Sequence, residues 1–252
     1  MTHCIASREE WLEARLTLLQ KEKAHSRARD EITRERQQLP WVHVNTDYVF
    51  EGPDGPASLG ELFGGKSQLI VYHFMFDTDW NEGCKSCSFV TDHLEPSMIH
   101  LLHRDTALVV VSKAPWPKLH AFKMRMGWTL RWVSSGGCDF NRDYQVSLTD
   151  DEMASGTGTY NFRDGTSFPA KEAPGISTFV KDERGDIYHT YSAYARGLET
   201  FIGAYNLLDI VPKGRDEAHG MKWVRHKDNY GDGANKNPWD NGEATASCPA
   251  CD

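Results

Sequence analysis

Two unbroken apolar runs, residues 69–76 ("LIVYHFMF") and 106–112 ("TALVVVS"), most constrain what this chain can become. A strand with one face in water alternates apolar and polar residues, whereas a strand covered on both faces is apolar throughout. A third run, "WTLRWVSS", follows at 128–135. Helical patterns lie between the runs. "SFVTDHLEPSMIHLLHRD" has helical spacing with a kink or restart expected at Pro96, which lacks an amide donor. "PWPKLHAFKMRMG" opens on proline and closes at Gly127. Strand, helix, strand, helix, strand predicts the α/β class, with parallel strands and right-handed crossovers.

Around this centre the sequence predicts several appendages. Ser7 and Glu10 form the S-x-x-E pattern that caps a helix start, and Trp11, Leu12, Leu16, Leu19 and Ile32 fall near one face until Pro40. Residues 1–40 are therefore an amphipathic helix whose stripe suits its own domain or a second copy, leaving a homo-oligomer open. Residues 48–50 read as a short strand before a Gly-Pro-Asp-Gly turn. Residues 136–172, rich in Gly, Asp, Asn and Thr, read as an insertion with room for a short hairpin or helical turn. "ISTFVKDERGDIYHTYS" is two strands joined by a turn, and "GLETFIGAYNLLDI" a closing amphipathic helix. The main domain spans 41–227, and 228–252 is a flexible polar tail.

Composition narrows function by exclusion. A formal charge of -8 disfavours nucleic acid or anionic lipid as the main partner. No apolar run reaches the roughly 18 residues of a membrane span, and the first residues lack the basic-then-apolar pattern of a signal peptide. A cytoplasmic location is expected. Six cysteines in 252 residues are too few for a disulfide scaffold, and in a reducing compartment a close pair does redox work or binds metal.

The first strand run leads directly to "WNEGCKSC". If a helix begins at this C-x-x-C, the Cys84 sulfur sits over unpaired amide donors and the positive end of the helix dipole. Both stabilise a thiolate and lower the thiol pKa from its usual ~8.5. Lys85 is expected to add positive charge and Glu82 to oppose it. Cys87, one turn inward, is placed to resolve a mixed disulfide. The pair predicts Cys84 as nucleophile and Cys87 as resolving thiol, with no cofactor. The alternative is a metal carrier or sensor using Cys84, Cys87 and a histidine such as His93, His100 or His103. A second pair, Cys248 and Cys251, would complete a four-thiolate site, act as a redox arm or, the reading slightly favoured over the arm, belong to an ordinary solvent-exposed tail. Cys4 and Cys138 carry no readable role. His73, in mid-strand, reads as a hydrogen-bonded core histidine. Tyr188, His189, Tyr191, Tyr194 and Arg196 read equally as a site rim or as an aromatic cluster closing the sheet edge.

The strand–C-x-x-C–helix unit, with the later strand pair and closing helix, resembles the thioredoxin fold. More narrowly, "YHFMF", "W.EGC.SCSF", "LVVVS.AP", "RMGW", "DFN.D", "HTYS.YARG", "YN.LD..PKGRDE" and "WVRH.D.Y" resemble an uncharacterised thioredoxin-like family of predicted dithiol-disulfide oxidoreductases. The resemblance runs over residues 8–230 and implies a thioredoxin-like central sheet with Cys84 and Cys87 as its dithiol. It supplies no substrate; the oxidoreductase reading itself takes a protein or small-molecule thiol or disulfide as partner and a thioredoxin- or glutathione-type electron donor. Two departures stand out. Gly83 replaces the tryptophan that usually precedes the first cysteine, leaving Trp80 four positions back as a substrate-binding candidate. The pattern also puts Ser177 where such proteins carry a disulfide-facing cis-proline, with Pro174 three residues earlier. The peroxiredoxin pattern of an upstream proline and threonine is not met: Thr78 is present, but no proline lies between Val71 and Cys84.

Overall fold

A computed structural model describes residues 4–165, 168–217 and 220–231. The chain divides into two compact units, residues 1–42 and 43–252. The first is helix α1 (Arg8–Gln37). Ser7 Oγ accepts from the Glu10 amide and the Glu10 carboxylate accepts from the Ser7 amide, the reciprocal cap expected from the sequence. None of its residues is buried.

The second unit is built on an eight-stranded sheet. Its strands begin with β1 (Val42–His43), the hairpin β2 (Val49–Gly52) and β3 (Gly55–Ser58), and the short helix α2 (Leu59–Leu62). Then come β4 (Gln68–His73), α3 (Lys85–Leu94), α4 (Met98–His103), β5 (Thr106–Ser112), α5 (Trp116–Arg125) and β6 (Arg131–Ser134). After α6 (Phe140–Asp143), α7 (Asp150–Ser155) and the small hairpin β7 (Thr159–Tyr160) and β8 (Arg163–Asp164), the chain adds β9 (Gly175–Lys181), β10 (Ile187–Tyr194) and α8 (Gly203–Leu208). The order across the sheet is β1-β10-β9-β4-β5-β6-β2-β3. Strands β4, β5 and β6 are parallel, as their apolar runs require, and β9 returns antiparallel to β4. This is a thioredoxin-like central sheet flanked by helices.

Strand alternation sorts the core into two layers. Tyr72, Val110, Trp132 and Ile176 face the layer that holds Phe74, Cys87, Phe89, Leu119 and Phe122. Leu69, Val71, Val109, Val111, Val133 and Phe179 face the other, with Phe50, Phe63, Phe140 and Tyr144. Pro96 breaks α3 from α4 through a 3₁₀ turn, Glu95–Ser97, as its missing donor demands.

The stretch 136–172 holds two short helices and the short hairpin its sequence allowed, and it is anchored by buried Phe140 and Tyr144 and by Asn141, which donates to buried Glu172 at 2.8 Å. Two expectations need correction. The closing helix is two pieces, a 3₁₀ segment Ala195–Phe201 and then α8, separated by extended Ile202. Helix α3 dictates that break: His93 Nδ1 donates to the Phe89 carbonyl, so Nε2 accepts the Ala204 amide at 3.1 Å and starts the new helix. Finally, Asp228 belongs to the ordered domain through its ion pair with Arg125 at 2.7 Å. The rest of the expected flexible tail, residues 232–252, lies outside the described residues. Among the described residues no helix is long and apolar enough to cross a membrane.

Candidate functional site

Strand β4 delivers the chain to the sheet end, where Phe74 donates to the Val111 carbonyl at 2.9 Å and the Cys84 amide to the Met75 carbonyl at 3.0 Å. The intervening loop thus returns to the strand that launched it. Cys84 caps α3, its own carbonyl accepting from the Ser88 amide and hydroxyl. Both thiols are free; Cys84 is partly exposed and Cys87 buried.

The two sulfurs have opposite electrostatics. The Cys84 thiol is lowered to about 7, chiefly because the Cys87 side chain donates to it, with the Cys87 and Ser86 amides adding to the effect against the cost of burial. Burial raises the Cys87 thiol well above its ordinary value, and the neighbouring Cys84 sulfur raises it further. One sulfur is held as a thiolate near neutrality and its twin as a proton donor. Lys85 is tied elsewhere. Its Nζ donates to the Lys222 carbonyl at 3.1 Å, and Glu82 is engaged by Arg125.

The glycine before Cys84 has a steric reason. A Cβ on Gly83 would lie 2.6 Å from Phe74 and 2.9 Å from Phe122, so no side chain enters there without moving two core rings. The Gly83 carbonyl accepts from His226 Nε2 at 2.9 Å, and His226 is itself buried. The segment 220–228 therefore straps the dithiol loop. Nothing in its local sequence pattern announced this, although "WVRH.D.Y" was part of the family resemblance.

Over the dithiol opens a largely apolar cleft of about 410 Å³. It is lined by Tyr72, Met75, Cys84, Ser86, Cys87 and Val90 from β4, the dithiol loop and α3, by Phe168, Pro169, Ala170 and Pro174 from the segment before β9, and by Ala195, Arg196, Leu198, Glu199, Ile202 and Met221 from beyond β10. The Tyr72 hydroxyl stands beside the Cys87 sulfur yet makes no well-directed hydrogen bond.

Ser177 is not in this cleft. Tyr72 pairs with Ile176 and Val71 with Ser177, so Ser177 points to the opposite face of the sheet. There it is fully buried and bonded at 2.8 Å to both His73 Nε2 and Ser192 Oγ. Pro174, one residue before β9, lines the cleft instead, and no peptide bond among the described residues is cis. Trp80 packs partly against the core layer and lends its carbonyl to Lys118 at 2.9 Å, but it does not line the cleft. His73 is the bonded core histidine its position implied. Tyr194 closes a small cluster with Val146, Tyr160 and Ala173, while Arg196 lines the cleft. Among the described residues no group of three or more His, Cys, Asp or Glu side chains could hold a metal. Cys248 and Cys251 lie outside the described residues.

Residues 1–230 match the family model described as bacterial protein of unknown function (DUF899). The chain belongs to this family. No curated protein matches it. Among solved structures, the chain is similar to peroxiredoxin Q of Xanthomonas campestris, at 10% identity and TM-score 0.45, over 66% of this chain and 95% of the other. It is also similar to peroxidoxin BcpB of Mycobacterium tuberculosis, at 12% identity and TM-score 0.43, over 66% and 96%.

Proposed function

We propose that this member of the DUF899 family is a thiol–disulfide oxidoreductase with Cys84 as nucleophile and Cys87 as resolving thiol. The observation that carries the reading is the division of labour at the head of α3: a partly exposed Cys84 lowered to about 7 beside a buried, protonated Cys87. In the reducing direction the Cys84 thiolate attacks one sulfur of a partner disulfide, and the other partner sulfur leaves as a thiolate and takes a proton. Cys87 then gives up its proton and attacks Cys84 Sγ. The Cys84–Cys87 bond forms, the mixed disulfide breaks, and the second partner thiol departs. Two electrons pass from the dithiol to the partner.

The partner is a protein or small-molecule disulfide, and a thioredoxin- or glutathione-type donor in a reducing, cytoplasmic compartment restores the dithiol. The metal-carrier alternative has two sulfurs but lacks a third ligand among the described residues. Titrating the protein against glutathione redox buffers tests the proposal. A two-electron couple is expected, lost in both Cys84→Ser and Cys87→Ser. Absence of a Cys84–Cys87 disulfide across the whole buffer range refutes it. Metal bound at one equivalent in anaerobically purified protein, and lost in Cys87→Ser, would favour the carrier instead.

A further inference from the structure

We propose that the second dithiol, Cys248-Pro249-Ala250-Cys251, is the internal redox partner of Cys84 and Cys87 and docks in the apolar cleft above them. The inference rests on the oxidoreductase reading and names the substrate of that site.

The course of the chain supports it first. Met221 lines the cleft, the Lys222 carbonyl holds Lys85, and His226 holds the carbonyl of the residue next to Cys84. The Asn229 amide turns back onto the His226 carbonyl at 2.8 Å, so the C-terminal chain departs from beside the dithiol loop. Length comes second. Cys248 follows His226 by 22 residues and Gly231 by 17. Seventeen residues span at most about 60 Å. A 190-residue domain has a radius of gyration of only about 16 Å. The cleft is therefore within reach, and a tether of this kind presents its end at an effective concentration on the order of millimolar.

The chemistry of the cleft is the third support. Walls of Pro169, Ala170, Pro174, Leu198 and Ile202 accept an uncharged segment without burying a charge, and Pro249-Ala250 is such a spacer. The Tyr72 hydroxyl, wholly buried and lacking a well-directed partner, opens on the cleft and suits a carbonyl of an entering peptide.

With the core pair oxidised and the tail pair reduced, one tail thiol loses its proton and attacks Cys84 Sγ. The Cys84–Cys87 bond breaks, and Cys87 leaves as a thiolate and is protonated. The second tail thiol then loses its proton and attacks the first tail sulfur. Cys248–Cys251 closes, Cys84 leaves as a thiolate, and two electrons have moved from tail to core. The reverse sequence carries them outward.

The full chain carrying Cys87→Ser with either Cys248→Ser or Cys251→Ser, which leaves no neighbouring thiol to resolve the mixed disulfide, tests this under mild oxidation with diamide, followed by peptide mapping. A disulfide joining Cys84 to Cys248 or Cys251 within one chain is expected, forming at a rate unchanged over a roughly hundredfold range of protein concentration. Linkage only between chains, or a Cys84 that never joins the tail, overturns the proposal. If Cys87→Ser does not fold, the fully oxidised wild-type chain reduced with one equivalent of phosphine provides the measurement. The two disulfides should then interconvert, and Cys84→Ala should abolish the exchange; two pairs that never exchange overturn it. The Cys248→Ser, Cys251→Ser double variant separates the readings. If it still forms a reversible Cys84–Cys87 disulfide while the tail link is absent from the other proteins, only the tail proposal falls. If no protein forms the core disulfide, both fall.

Discussion

At the residue scale the decisive quantity is how much of the Cys84 sulfur is anionic near neutral pH. Its largest stabilising contact is the Cys87 side chain, so the two thiols must be treated as one acid–base unit. Alkylation of Cys84 by iodoacetamide should accelerate through a midpoint near pH 7 in wild-type protein. Cys87→Ala removes the donor and should move that midpoint up toward an ordinary cysteine. Cys87→Ser keeps a hydroxyl donor and should leave it near the wild-type value. Equal midpoints in all three proteins would assign the stabilisation to the helix start alone. The sequence made the pair and its order along the helix legible, because C-x-x-C after a buried strand is a local pattern. The amides of the helix start lower the thiol as that pattern predicts, but the larger contribution comes from how the Cys87 side chain is turned, which no local pattern reports. Nor does one report that Lys85 is held by a carbonyl at Lys222, 137 residues away.

At the scale of elements, the strap over the dithiol loop links position to chemistry. His226 closes the Gly83 carbonyl, Arg125 joins Glu82 to Asp228, and Lys227 reaches Asp92 at 3.1 Å. Removing the imidazole leaves a buried carbonyl unpartnered, which costs about 1–3 kcal/mol. His226→Ala should therefore lower stability by that order in denaturant melts. It should also change the Cys84 alkylation profile, because Gly83 no longer fixes the residue it precedes. His226→Gln, which retains a donor, should recover part of both. An alkylation profile unchanged in His226→Ala would make the strap a matter of stability only.

Register explains the other shortfall at this scale. The apolar runs specified β4, β5 and β6 and the presence of β9, since burial on both faces is written in composition. Which β9 residue faces the sulfurs turns on a shift of one position, and such a shift exchanges the two faces of a strand. Ser177 was on the wrong side of that alternation, and Pro174 lies just outside it.

For the whole molecule, stability against pH is set in part by two buried groups with opposing slopes. Burial holds His73 down at about 3, so the folded state carries fewer protons than the unfolded chain below the ordinary histidine range, and stability falls as pH drops from about 6.5 toward 3. Burial raises Glu172 to about 7, despite hydrogen bonds from Ser147 and Asn141 that favour its anion. Here the folded state holds more protons than the unfolded chain, and stability is lost as pH climbs from about 4.5 to 7. Between about pH 4.5 and 6.5 the two slopes nearly cancel, hiding each other in the wild-type curve. Glu172→Gln removes one of them. Relative to wild type, the variant should gain stability steadily from pH 4.5 to 7, by about 3 kcal/mol in total, with the difference level above that range. Urea melts of both proteins at a series of pH values measure the difference directly, and groups common to the two chains drop out of it. A difference independent of pH would mean that Glu172 titrates as an ordinary carboxylate. In that case the segment it anchors, which continues through Pro174 to the cleft, is held by Asn141 and Ser147 donating to a carboxylate that stays charged in the fold.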